Sequence, residues 1–186
     1  EQGDYAEAQA LLQEAVTLAE TFGETDPRLS RSLNSLGLCY LDLDNKPSAE
    51  KFLKRALDLR NTVFGTESKE AGESNDNMGV LKQHQEQYIT SDKFFNKAIQ
   101  IFDQKIGKNS NKVAGSLNNL GKNCILEEKP EEANQPLARA LAIAMMNSPK
   151  GVKGTMLYTT FVAEVETNLA NAMSAQGQPE KAIVHY

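Results

Sequence analysis

The side chains best equipped for recognition in this sequence are asparagines in a fixed rhythm. Asn77 and Asn119 are 42 residues apart, and Asn168 follows 49 residues later. A carboxamide carries an acceptor oxygen and two donor hydrogens. A row of them at one spacing could hold the backbone of an extended peptide without demanding its sequence. The same row could instead do no more than solvate a surface. Lys122, one helical turn past Asn119, could add a charge-assisted bond.

Catalytic constellations are missing from the sequence. His84 and His185 are the only histidines and lie in different parts of the chain. No His-x-x-x-His or Cys-x-x-Cys pair exists, so a closed zinc site lacks ligands. Gly115-Ser116-Leu117-Asn118-Asn119-Leu120-Gly121-Lys122-Asn123 approaches a phosphate loop, but it has five residues between the glycines instead of four. It also has Asn where Ser or Thr would hold a magnesium ion. Cys39 and Cys124 are too few for a disulfide scaffold and read as packing residues, since a free thiol behaves as a small hydrophobe. No Ser/His/Asp or Cys/His set can be assembled. The chain therefore reads as no enzyme, with no catalytic residue, no metal and no cofactor.

The elements that must position these asparagines follow from an internal repeat. Gly37, Gly79 and Gly121 are 42 apart, as are Gly23, Gly65 and Gly107, and Ala56, Ala98 and Ala140. Asp26-Pro27, Ser68 and Ser110 share the register and suit helix N-caps. The glycines just before them suit the residue that ends a helix. Asp44-Asn45-Lys46-Pro47, Glu86-Gln87 and Glu128-Lys129-Pro130 mark tight turns inside each period. Each period is thus two helices. Their apolar faces, such as Leu33, Leu36 and Tyr40 against Ala49, Phe52, Leu53 and Ala56, cannot be buried within one hairpin, so the units must stack.

The phrase Leu36-Gly37, Tyr40, Ala49, Phe52, Ala56 resembles the tetratricopeptide repeat, with copies of its turn at Gly3-Asp4-Tyr5-Ala6-Glu7-Ala8 and Gly177-Gln178-Pro179-Glu180-Lys181-Ala182. The 42-residue period and the Ser-Leu-Asn-Asn-Leu-Gly phrase are similar to the kinesin-light-chain subtype. The resemblance implies an all-α, right-handed superhelical solenoid of antiparallel helix hairpins. Residues 1–186 are expected to form a single array truncated at both ends. Residues 1–22 would be the second helix of a hairpin, and 27–64, 69–106 and 111–147 complete hairpins. Residues 155–186 would be a partial hairpin, after an insertion of about seven residues at Met145–Gly154. First helices line the concave side in this family, which turns Arg31, Asn34, Asn77, Asn118, Asn119, Lys122, Asn168 and Asn171 into the expected peptide- or partner-binding residues. Lys and Arg are too sparse there for a clamp on a C-terminal carboxylate.

The middle hairpin departs from its neighbours. Asn75 stands where they have Leu33 and Leu117, and Lys82 where they have Tyr40 and Cys124, which predicts the weakest packing of the three complete hairpins. At the first helix, Leu11, Ala15 and Leu18 are expected to lack cover, so self-association through the truncated ends is a further expectation.

The balance of charge narrows the partners. The net charge is −5 with a pI near 5.2 and no basic block, which argues against nucleic acid and against an anionic membrane. No apolar run approaches the roughly 18 residues a membrane span needs. The sequence reads as a cytoplasmic scaffold or adaptor segment that binds another protein or a peptide in the groove. A regulatory or sensor arm of a larger enzyme or signalling protein, with its catalytic domain elsewhere, is the alternative.

Overall fold

A computed structural model describes residues 2–147 and 156–183. His185, Tyr186 and most of the expected insertion (148–154) lie outside the described residues. Among those described the chain is all helix, with no strand: α1 (Gln2–Glu20), α2 (Pro27–Asp42), α3 (Lys46–Phe64), α4 (Lys69–His84), α5 (Tyr88–Lys105), α6 (Asn111–Leu126), α7 (Pro130–Met146), α8 (Met156–Ala175) and α9 (Pro179–Ala182). The helices fall into two compact units, Glu1–Gln87 and Tyr88–Tyr186.

The helix limits are set by chemistry that recurs in register. Asp26, Ser68 and Ser110 each accept a bond from a first-turn amide, those of Arg28, Ala71 and Val113. Gly23, Gly65 and Gly107, just before these caps, have φ of 117°, 88° and 114°, a region closed to most side chains. Arg28 folds back on Asp26 through Nε and Nη2, at 2.9 and 2.8 Å, and its guanidinium lies 3.6 Å from the Phe22 ring centre. The side-chain and then the backbone hydrogen bonds from Arg28 hold the Asp26 carboxyl down to about 2. The turns inside hairpins use a left-handed residue at Asp44, Glu86 and Glu128 (φ 54°, 60° and 60°), and glycine takes the role at Gly177 (φ 72°).

In the first unit the core is Val16, Ala19, Leu29, Leu33, Leu36 and Ala56, with Tyr40 stacked on Phe52 at 5.4 Å. In the second, Phe102, Val113, Leu117, Leu137, Ile143, Val165 and Leu169 form the core of α5 to α8. Fully burying each such side chain contributes about 1.5–3 kcal/mol. Cys39 and Cys124 are buried free thiols, and Cys124 packs in the core of the second unit. On α1, Leu11 and Leu18 are exposed and Ala15 is half-buried, and Phe22 in the turn just after it is exposed.

Close approach of paired helices depends on glycine. A Cβ built on Gly37 would lie 2.7 Å from Leu53 Cγ and 3.0 Å from the Leu53 backbone nitrogen. At the equivalent point of the second unit, a Cβ on Gly121 would run into the fully buried Leu137 side chain. Gly115, on the same helix, has nothing within 4 Å of that position. Gly121→Ala should therefore cost about 1–3 kcal/mol through overpacking. Gly115→Ala should instead gain about 0.5–1 kcal/mol, because Ala is the better helix former. Melting curves of the two variants should move in opposite directions, and a shared direction would contradict the steric account.

Candidate functional site

The first helices carry the expected recognition residues, and the structure gives each a definite place. Arg31, Lys122 and Asn171 are exposed, and Asn34, Asn77 and Asn119 are half-buried. Asn118 and Asn168 are buried, at 2% and 9% exposure. Asn118 and Asn168, expected on the groove side of their helices, are thus covered by the neighbouring helix. The helical count fixes an angle around one helix but not how closely the next helix lies over it.

The asparagines bond to one another. In the first unit Asn77 Nδ2 donates to Asn34 Oδ1 at 2.8 Å, joining α4 to α2. In the second, Asn168 Nδ2 donates to Asn118 Oδ1 at 2.9 Å, joining α8 to α6. Asn118 Nδ2 continues to Glu164 Oε1 at 2.9 Å. In both units the later asparagine donates to the residue that precedes its own register mate, so the same carboxamide bridge is built twice. An amide that spends one donor this way keeps acceptor capacity for another group.

A second set of polar contacts was not anticipated from the sequence. Near the start of each second helix, one polar side chain reaches the first helix that follows it in the chain. On α1, Gln9 Nε2 donates to Tyr40 Oη at 3.3 Å. On α3, Glu50 accepts from Lys82 Nζ at 2.7 Å and from Gln85 Nε2 at 2.8 Å. On α5, Asp92 accepts from Asn123 Nδ2 at 2.6 Å, and on α7 Asn134 exchanges bonds with Gln176 at 3.1 and 3.3 Å. The signal was present in the sequence: positions 50, 92 and 134 are 42 apart and all polar on a helix face that is otherwise apolar. Lys82 sits in this contact with only 8% of its surface exposed, and Asn75 donates to Ala71 O at 2.7 Å. Both polar replacements of the middle hairpin are thus satisfied.

Among the described residues no group of three or more His, Cys, Asp or Glu side chains could hold a metal ion, and no helix is long and apolar enough to cross a membrane. His84 is exposed at the end of α4.

Comparison with known proteins agrees with this architecture. A family model for the tetratricopeptide repeat matches residues 1–62 and 70–145. The clustered mitochondria protein homolog of Aspergillus niger is 26% identical over 148 residues, covering 75% of this chain and 10% of that protein. The homolog from Aspergillus fumigatus matches to the same extent. The chain thus spans about a tenth of the length of these curated relatives. Among solved structures, BtubC (BKLC) from P. vanneervenii superposes with a TM-score of 0.83 at 23% identity, over 99% of this chain and 71% of that one. A putative kinesin light chain from Podosopora anserina, built of nearly identical TPR-like repeats, gives 0.76 at 18% identity, over 99% and 84%. At these identities the likeness establishes the fold.

The buried bridge has an energetic consequence. Asn118→Ala removes the acceptor of Asn168 Nδ2 and leaves a buried donor unpaired, which typically costs about 1–3 kcal/mol. Asn34→Ala breaks the half-buried counterpart and should cost less. Urea titrations of the two variants test the ranking, and an Asn118→Ala midpoint equal to the parent's would refute it.

Proposed function

Because this chain belongs to the tetratricopeptide-repeat family, we propose that it is a non-catalytic interaction module that holds a peptide or partner helix against the face of its first helices. One observation carries the reading. Carboxamide bridges fix Asn34 to Asn77 and Asn118 to Asn168, so the neighbouring polar groups of α2, α4, α6 and α8 are held in fixed orientations before any ligand arrives. Ordering that is already complete is not charged against binding. Within the second unit, Asn119, Lys122 and Asn171 lie on the first helices beside the buried bridge. Lys122 is exposed and brings a charge, and Asn119 stands one turn before it. In the first unit Arg31 and Asn34 have the corresponding role.

The likeness to a tenth of a much longer protein favours placing the module inside a larger assembly. There it would serve as an arm that recruits a partner to activities carried elsewhere. We take the module to work in the cytoplasm, with a protein or peptide as partner in preference to nucleic acid or membrane.

The test begins with recovery of a partner by the intact protein and mapping of the bound peptide. Calorimetric titration of variants then follows. Losing one side-chain bond costs about 0.5–1.5 kcal/mol, so Asn119→Ala and Lys122→Ala should each weaken binding about threefold to tenfold. Their melting temperatures should stay near the parent's. If both variants bind the mapped peptide as the parent does, the first-helix face is only solvated surface and the proposal fails.

A further inference from the structure

The second unit contains an acidic slot whose equivalent in the first unit is filled by a lysine of the chain itself. In the first unit the Lys82 ammonium sits between Glu50 Oε1, at 2.7 Å, and Gln85 Oε1, at 2.9 Å, and Gln85 Nε2 closes the ring to Glu50 Oε2. Forty-two residues later the same three positions are Asp92, Cys124 and Glu127. The repeat has replaced the cation by a thiol and the neutral amide by a second acid.

The replacement leaves groups without their counterpart. Asp92 accepts a carboxamide bond from Asn123 Nδ2 at 2.6 Å and feels the Lys129 charge only through space, and burial raises its carboxyl above its ordinary value. Glu127 has 8% of its side chain exposed. Its Oε2 meets Lys129 Nζ at 2.7 Å at the half-exposed rim, and its buried Oε1 has no partner. Buried carboxylate oxygens without a donor are rare and costly. The Cys124 thiol is pushed up to about 11, chiefly by burial and then by Asp92, so it stays protonated and neutral.

The surroundings fit a long aliphatic side chain with a charged tip. A cleft of 640 Å³ opens between α5 and α7 over α6. Ile99, Leu117, Leu120 and Cys124 supply apolar lining, and Asp92 and Glu132 supply acid. Glu127 lines a second cleft, of 690 Å³, which shares Asp92 and Asn96 with the first and also carries Lys93, Lys97 and Lys129, so the acidic lining belongs to the Asp92 end of the first cleft. Arg139, at the far end, is already paired with Asp103 at 3.0 Å. A lysine stem can lie along apolar surface while its ammonium presents three donors to Asp92 and Glu127. A guanidinium is planar and forked, whereas the precedent inside this molecule is a compact ammonium.

We propose that the Asp92–Cys124–Glu127 slot between α5 and α7 receives the ammonium group of a lysine side chain presented by a partner protein. Cys124 is six residues past Asn118 on α6, about 120° round the helix from the Asn118–Asn168 bridge, so the slot is a second recognition site.

The acetylated tripeptide amide Ala-Lys-Ala, titrated into the isotope-labelled chain, is the probe. Amide NMR shifts should cluster at Asp92, Cys124 and Glu127, and the norleucine analogue should bind at least about fivefold more weakly. Cys124→Lys should copy the first unit by placing an ammonium in the slot. It should melt above Cys124→Met and lose the peptide-induced shifts. Glu127→Gln preserves shape and should weaken the peptide by at least about threefold. It decides the matter even if Cys124→Lys fails to fold. Equal binding of the norleucine analogue would make this an apolar cleft and overturn the proposal. Binding of n-butylammonium as tight as that of the peptide would make it a site for free amines and overturn it too. Unchanged peptide binding by Glu127→Gln would also overturn it.

Discussion

Everything in this chain rests on a close contact between two helices of a hairpin that leaves no room for a Cβ. At Gly37 against Leu53, and at Gly121 against Leu137, the first helix lies so near the second that one methyl group would collide with a buried leucine. Interiors at crystal-like density cannot absorb such a collision without shifting a whole element. The contact therefore fixes the depth and rotation of the α2–α3 and α6–α7 pairs. The caps and left-handed turn residues fix where along the axis each helix begins and stops. Once both are set, a given position in the 42-residue register meets the same neighbour each time it recurs.

That recurrence lets polar chemistry vary on a constant frame. The position near the start of each second helix is Gln9, Glu50, Asp92 or Asn134, and its partner on the following first helix changes with it. An amide meets a phenol, a carboxylate meets an ammonium, a carboxylate meets an amide, and an amide meets an amide. Glu50 has its charge answered by Lys82, whereas Asp92 does not have its charge answered by Cys124. The carboxamide bridges recur in the same way at other positions of the first helices.

Much of the frame was legible in the sequence, and the reason is physical. Glycine at a positive φ, serine or aspartate at an N-cap and alanine at a helix crossing are local requirements, so each leaves its own mark. The helices begin and end within a few residues of the places those marks indicate. What depends on contact between distant segments was less legible. Asn118 reads as a groove residue by helical count, yet α8 covers it and makes it a buried acceptor. Arg60 occupies the register of Phe102 and Ala144, a core position. It is buried there because Nη1 reaches Glu70 O and Ser74 Oγ, each at 3.1 Å. Lys82 looked like a cost to the middle hairpin, and only the distant Glu50 explains why it is tolerated.

The central claim is that one repeat position does opposite electrostatic work in the two units, according to whether a cation is hydrogen-bonded to it. Around Glu50 the facing groups are Lys82 and Gln85, which together hold its carboxyl below the usual range. Its contribution to stability is present above the ordinary carboxylate pKa and is lost as pH falls through the lowered value. Around Asp92, burial, helped by Glu127 and Glu132, outweighs the Asn123 hydrogen bond and the Lys129 charge and raises its pKa. That shift favours the folded state at low pH, and the advantage is lost as pH rises through the raised value. A carboxyl-carbon NMR titration of the intact chain reads both groups in one experiment. The account predicts Glu50 titrating below its ordinary value and Asp92 above. Both groups shifted to the same side would contradict it.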